Sequence, residues 1–309
     1  MENFLTAVNA VLPTLFILFL GNLCRRTKVL NTTITNGFNK AIVYVFLPSL
    51  IAVNFLKVDL KELLDGELFL FAFLCLTGEM VLMFFLKKTW DKNPVKSLSV
   101  IVSVINSNCL ILGGSIAVSL YGYLPYSVAF LASVISIVSN AYAILLFQLA
   151  GKGRFSFSLF LGIIKNPLIV TLLITLTIRI LNVPLPKFLV RLIETLSEAT
   201  TPVSLLCLGV FFDFNGLRKT ATPVLKGIAV RYLFAFFVVW LAVQLGFRGE
   251  RLAALIFVFA TSTAISAYPL SIEYGGDWEI VGNSVVISAI TSIFFVALFI
   301  FVLKNLGCL

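Results

Sequence analysis

Apolar runs of about twenty residues, long enough to cross a hydrocarbon core of roughly 30 Å as α-helix, recur along this chain and limit its fold more than any other feature. They fall at 5–24, 36–56, 67–86, 98–120, 126–149, 161–181, 197–213, 223–246, 252–272 and 281–303. In lipid each backbone N–H and C=O must find its partner inside the protein, so a chain of such runs must form helices. Of the 309 residues 60% are hydrophobic and 12% charged, a surplus of apolar surface that a soluble core of this size cannot absorb. The 30 phenylalanines suit a lipid-facing surface. The expected class is an all-α integral membrane protein of ten transmembrane helices joined by short polar loops.

The net charge of +9 does not indicate a nucleic-acid partner, because the cations form no face. They cluster in alternate loops: Arg25, Arg26 and Lys28; Lys87, Lys88, Lys92 and Lys96; Lys152, Arg154 and Lys165; Arg218, Lys219 and Lys226. Placing these loops in the cytoplasm puts both termini on the other side of a cell membrane, plasma or inner. The acidic loop with Glu273, Asp277 and Glu279 fits that pattern least well. Met1–Cys24 has its acidic residue first and its cations after it, the reverse of a cleavable signal, and reads as the first span.

Several chemistries are absent. The chain has no histidine, which removes Ser-His catalysis and HExxH metal sites. Its five cysteines show neither disulfide nor zinc spacing. Gly275-Gly276-Asp277 resembles an aspartyl-protease motif but lies at a span end with no partner aspartate evident in a neighbouring span. No enzyme, metal or cofactor is expected, apart from Na+ or H+ as a coupling ion.

Pro13 with Pro167, and Pro48 with Pro202, lie 154 positions apart, and Tyr121-Gly122 and Tyr274-Gly275 close the fourth and ninth spans in nearly the same register. These landmarks predict two repeats, 1–154 and 155–309. Five spans per repeat is an odd number, so the second repeat enters the membrane inverted. Transporters of that plan hold substrate near the midplane at discontinuous helices.

The best candidates for such discontinuities are the fourth and ninth spans. In the fourth, Asn106, Ser107 and Asn108 precede Gly113, Gly114 and Ser115. Two amides, two hydroxyls and paired glycines are costly in lipid unless they face protein or a wet cavity, and the glycines would free the backbone to unwind. Tight packing through small residues is the structural alternative. In the ninth, Thr261, Ser262, Thr263 and Ser266 precede Pro269, which removes a backbone donor and obstructs the helix. A plain proline kink with back-bonded hydroxyls is the alternative there. Both stretches are candidate substrate-binding sites. Glu79, inside the third span, is a candidate proton or cation site, or else a structural hydrogen-bonder or a residue nearer the interface. Lys40 and Arg231 read as span-end cations that snorkel, and Asp213 as the end of the seventh span.

The chain resembles the auxin efflux carrier family, which includes bacterial malate and malonate permeases. The resemblance is carried by Gly21 before a basic turn, Asn39 with Phe46-Leu47-Pro48, and Asn108 through Tyr121-Gly122. In the second half it is carried by Lys165-Asn166-Pro167-Leu168, Thr201-Pro202 with Leu208-Gly209, and Glu273-Tyr274-Gly275. It implies the bile-acid symporter type of fold, with crossed fourth and ninth helices. Spans 1, 2, 6 and 7 would form a scaffold and spans 3–5 and 8–10 a transport domain that moves as an elevator. It also implies a secondary transporter of small organic anions, carboxylates such as malate, malonate or auxin-like acids, with Asn108 binding substrate. Ser115 and Ser262 stand where the family often has crossover prolines. A homodimer through the scaffold is compatible with the apolar faces. An anion channel or a non-transporting sensor of the same fold is the alternative.

Overall fold

Where each helix begins is set by capping residues that the sequence places at the ends of the apolar runs. Asn93 and Asn166 each accept a hydrogen bond from the backbone N–H two residues on, at 2.9 Å, and each is followed by a proline whose missing N–H costs nothing in a first turn. Asn31, Asp65 and Asp277 cap three further helices in the same manner.

The computed structural model describes residues 2–57, 65–152, 166–211 and 214–309. The helices are α1 (Glu2–Arg26), α2 (Thr32–Ala41), α3 (Leu47–Lys57), α4 (Gly66–Phe85), α5 (Lys87–Trp90), α6 (Pro94–Ile105) and α7 (Gly114–Tyr121). They continue with α8 (Tyr126–Lys152), α9 (Pro167–Ile180), α10 (Lys187–Phe211), α11 (Phe214–Gln244), α12 (Gly249–Ala260), α13 (Ala267–Glu273) and α14 (Trp278–Asn305). No strand longer than an isolated bridge occurs among the described residues.

Five of these helical stretches are long and apolar enough to cross a membrane: Thr32–Leu56, Gly66–Phe85, Tyr126–Leu149, Lys219–Gln244 and Trp278–Asn305. Phe16, Phe19, Phe85, Phe294 and Phe301 stand exposed on the outside of the bundle, where only lipid makes such a surface favourable. A π-helical turn at Ile42–Phe46 joins α2 to α3 just before Pro48, whose ring would strike the Tyr44 carbonyl in a regular α-helix. Helices α1 and α10 cross at two glycines. A Cβ on Gly21 would fall 2.2 Å from the Leu206 carbonyl oxygen, and one on Gly209 would fall 2.1 Å from that of Leu18.

The apolar runs at 98–120 and 252–272 are each interrupted, as α6/α7 and α12/α13. Helix α10 begins at Lys187, well before the predicted 197, because Lys187, Arg191, Glu194 and Glu198 end the apolar run without ending the helix. The start of the run at 161–181 lies outside the described residues, as do Arg154, Lys165 and Asp213 and most of the polar turn after Lys57.

Candidate functional site

Helix α6 stops at Ile105, and Asn106 is extended, with φ −88° and ψ 112°. Helix α12 stops at Ala260, and Thr261 is extended, with φ −76° and ψ 171°. The two breaks meet. Asn108 N donates to Ser262 O at 2.8 Å and Ala264 N donates to Asn106 O at 3.0 Å, an antiparallel bridge centred on Ser107 and Thr263. Hydroxyls take up other freed groups: Thr263 Oγ1 donates to Ser103 O at 2.8 Å, and Ser288 Oγ accepts from Thr263 N at 2.8 Å. Ser107 Oγ and Thr261 Oγ1 are 2.8 Å apart. The non-helical backbone is thus buried and, at these groups, paired, as an apolar surround favours.

Arg231 closes the junction from behind. It lies inside α11 and is 2% exposed, so the expectation that it snorkels from a span end is corrected. Its Nη1 donates to Ser103 O, Val104 O and Asn106 O at 3.2, 2.7 and 3.3 Å, and its Nη2 to Ser262 O at 3.5 Å. Lys40 is exposed, as a snorkelling residue should be. Glu79, 2% exposed in α4, lies within electrostatic reach of Arg231 but forms no contact ion pair with it.

In front of the first break lies a narrow cleft. One wall is α3 and α10, through Leu47, Asn54, Thr201 and Ser204. The other is the two breaks and α8, through Asn108, Ser266, Ser136 and Asn140. The Asn140 Oδ1 and Ser204 Oγ atoms are buried there without a hydrogen-bond partner among the described residues. The half-buried Asn108 side chain makes no hydrogen bond among those residues either. Unpaired polar groups facing a cleft are what a ligand or ordered water satisfies. Among the described residues no charged side chain lines it, so an anion would be held by amide and hydroxyl donors.

Of the residues singled out in the sequence, Ser107, Asn108 and Ser266 line this cleft. Asn106 is fully buried behind it, donating to Val102 O and Ser139 O at 3.1 and 3.3 Å. Thr261 and Ser262 are buried in the bridge. Gly113 and Gly114 do not unwind the chain: both have ordinary helical angles, with φ near −60° and ψ of −44°. Gly113 serves packing instead, since a Cβ there would sit 2.7 Å from that of Phe257. Ser115 is exposed and bonds back to Ile111 O at 2.7 Å, away from the cleft. Pro269 is the third residue of α13, past the break, where its missing donor is not needed. Its ring still forbids α-helix through Ile265, four residues back, which is how it fixes the break upstream. Asp277 caps α14 through Ile280 N and donates its own N–H to Ser99 Oγ, so it is a structural residue.

Asn54, Ser136, Asn140, Thr201 and Ser204 were not anticipated as lining residues. Their signal was present: Ser133, Ser136 and Asn140 are spaced to share one face of α8, as are Thr200, Thr201 and Ser204 on α10.

An all-helical bundle with a polar cleft at two paired helix breaks defines a polytopic membrane transport protein. A family model described as "Membrane transport protein" matches residues 6–300. The chain belongs to that family, the auxin efflux carrier family of the sequence resemblance. It is also similar to an "uncharacterized transporter" of Methanothermobacter thermautotrophicus, 24% identical over 297 residues that cover 94% of this chain and 96% of the relative. It is a transport protein and not an enzyme.

Proposed function

We propose that this protein is a secondary transporter of small organic anions, carboxylates such as malate, malonate or auxin-like acids, working by an elevator type of alternating access. The fold of the proposal is ten transmembrane helices in two inverted repeats, 1–154 and 155–309, with α6/α7 and α12/α13 as the crossed, discontinuous fourth and ninth spans. In that plan α1, α2/α3, α9 and α10 form the scaffold, through which a homodimer would assemble. Helices α4, α6/α7, α8 and α11–α14 form the transport domain. The basic loops are cytoplasmic and both termini are not.

One observation carries the reading. The cleft lies on the seam between those two groups of helices, with α3 and α10 on one side and the two breaks with α8 on the other. A substrate held there touches both bodies, and sliding one past the other changes which side of the membrane it faces. Asn108 is the leading substrate ligand, since its side chain is unengaged and reaches the cleft from the start of the helical turn at Cys109–Gly113. Asn54, Asn140 and Ser204 supply further neutral donors. Glu79, buried opposite Arg231, is the proposed coupling group for a proton.

Proteoliposomes on a solid-supported membrane, challenged with jumps of malate, malonate and indole-acetate, test the proposal. A saturable, substrate-specific current with counterflow is expected. A non-saturating conductance would indicate a channel and sink the carrier reading, and specific binding without flux would indicate a sensor.

A further inference from the structure

We propose that Arg231 is a resident cation: its guanidinium fills a cage of backbone carbonyls where the two helix breaks join, and the cage, once emptied, takes a free guanidinium ion. The cage has four oxygens, those of Ser103, Val104, Asn106 and Ser262, between 2.7 and 3.5 Å from the guanidinium nitrogens. Ser103 and Val104 belong to the last turn of α6, and Asn106 follows it, so three of the oxygens sit at the negative end of a helix that stops inside the protein. The fourth belongs to the other break. Three of these oxygens also accept a second hydrogen bond, Ser262 O from Asn108 N, Asn106 O from Ala264 N and Ser103 O from Thr263 Oγ1, so the guanidinium takes their remaining lone pairs and is the main partner of Val104 O. Carbonyl oxygens that converge on one point suit a cation.

The side chain suits the task. A guanidinium carries a fixed charge and a planar fork, so it addresses carbonyls of two segments at once, whereas an ammonium is a compact point charge. At 2% exposure Arg231 has no solvent to share, and Glu79 supplies the nearby countercharge. Thr263 Oγ1 takes the remaining capacity of the Ser103 carbonyl at 2.8 Å. In the intact protein the cage is therefore full, and sodium has no place in it. The charge also stands behind the cleft, where it favours an anion whose direct ligands are neutral. This last consequence rests on the carrier reading; the cage itself does not.

The test uses thermal unfolding of the purified full-length protein, without substrate, in sodium, choline or guanidinium chloride at equal ionic strength. Arg231→Ala is expected to unfold several degrees lower than the parent, and tens of millimolar guanidinium should restore at least half the loss in a saturable way, as a ligand specific to the folded state does. Sodium and choline should restore none of it. The parent should show no saturable stabilisation by any of the three. Saturable stabilisation of the parent by sodium would mean the cage is open, and would overturn the proposal whether or not the variant folds. A folded Arg231→Ala that guanidinium does not rescue would overturn it too. Arg231→Lys and Arg231→Met separate charge from packing: carboxylate binding should be at least about 10-fold tighter in the lysine variant, and equal binding would contradict the role of the charge. Because the rescue contains no carboxylate, its failure is distinct from failure of the carrier reading.

Discussion

The two helix breaks have similar polar sequences and opposite fates. In the second, Thr261, Ser262 and Thr263 are all at most 2% exposed, and the two threonine hydroxyls and the Ser262 carbonyl are engaged within the junction. In the first, Asn108 is half-buried and its side chain is unengaged at the cleft. The difference follows from side-chain chemistry. A hydroxyl one turn after a free carbonyl bonds back to it, as Thr261 does to Phe257 O at 2.7 Å, and is then spent. A primary amide carries two donors and two acceptor sites, and a short segment seldom satisfies them all. The 261–263 segment of the second break thus works as a clamp, while the first break leaves the Asn108 amide free at the cleft, which Ser266 also lines.

Substitutions can break that contrast. The largest effect is expected for Asn108→Ala, which should lower transport by about 10- to 100-fold, the equivalent of roughly 1.4–2.8 kcal/mol, with little change in melting temperature. Equal loss of stability and transport would move Asn108 into the clamp. Thr263→Val should do the reverse, costing about 1–2 kcal/mol of stability by removing a buried donor from Ser103 O, with transport per folded molecule within about twofold of the parent. Thermal unfolding beside flux reads both. Ser204→Ala removes a buried hydroxyl that has no partner among the described residues, so stability should hold while carboxylate affinity falls a few-fold, worth about 0.5–1.5 kcal/mol. The smallest effect belongs to Ser115→Ala, expected to change neither flux nor stability by more than about 0.5 kcal/mol, because its hydroxyl is exposed and bonds its own helix.

A second contrast concerns how the bundle is tied together. Tyr44 in the turn between α2 and α3 donates to Glu273 Oε1 at 2.8 Å, and Asn166 donates to the Tyr274 hydroxyl. Arg251 forks onto Asp65 at 2.6 and 2.7 Å and reaches Glu67, while Tyr123 donates to Glu250 and that bond holds its hydroxyl above the usual tyrosine range. The first pair joins a proposed scaffold helix to the proposed transport domain and would have to break in the proposed elevator movement; the second lies within that proposed domain. Tyr44→Phe should therefore change the rate of flux, whereas Arg251→Ala should cost only about 0.2–1 kcal/mol of stability, as an exposed ion pair does.

Much of this was legible in the residues. Period and length of the apolar runs set the helical class, and polar residues at 106–108 and 261–266 marked where two of them stop. Asn93-Pro94 and Asn166-Pro167 announced helix starts. What the sequence concealed was tertiary. Gly113 reads first as a hinge, with packing as the alternative, and Phe257 against it decides for packing. Arg231 reads as a snorkelling cation until the carbonyls of α6 are seen to converge on it. Asn140 and Ser204 belong to polar stripes that the sequence displays on two apolar helices, and only the fold brings both stripes to one cleft. Ser115 and Pro269 drew notice by their type and spacing, yet the cleft uses neither.

The central proposal is that Asn108 of the first break holds the ligand and that the 261–263 segment of the second break does not. Its most direct test is the stabilisation that a transported carboxylate confers on the purified protein, measured side by side in the parent, Asn108→Ala and Thr263→Val. The account predicts a saturable shift in the parent, the same shift in Thr263→Val from a lower starting temperature, and none in Asn108→Ala. A full shift in Asn108→Ala, or its loss only in Thr263→Val, would contradict the account and place the site in the second break.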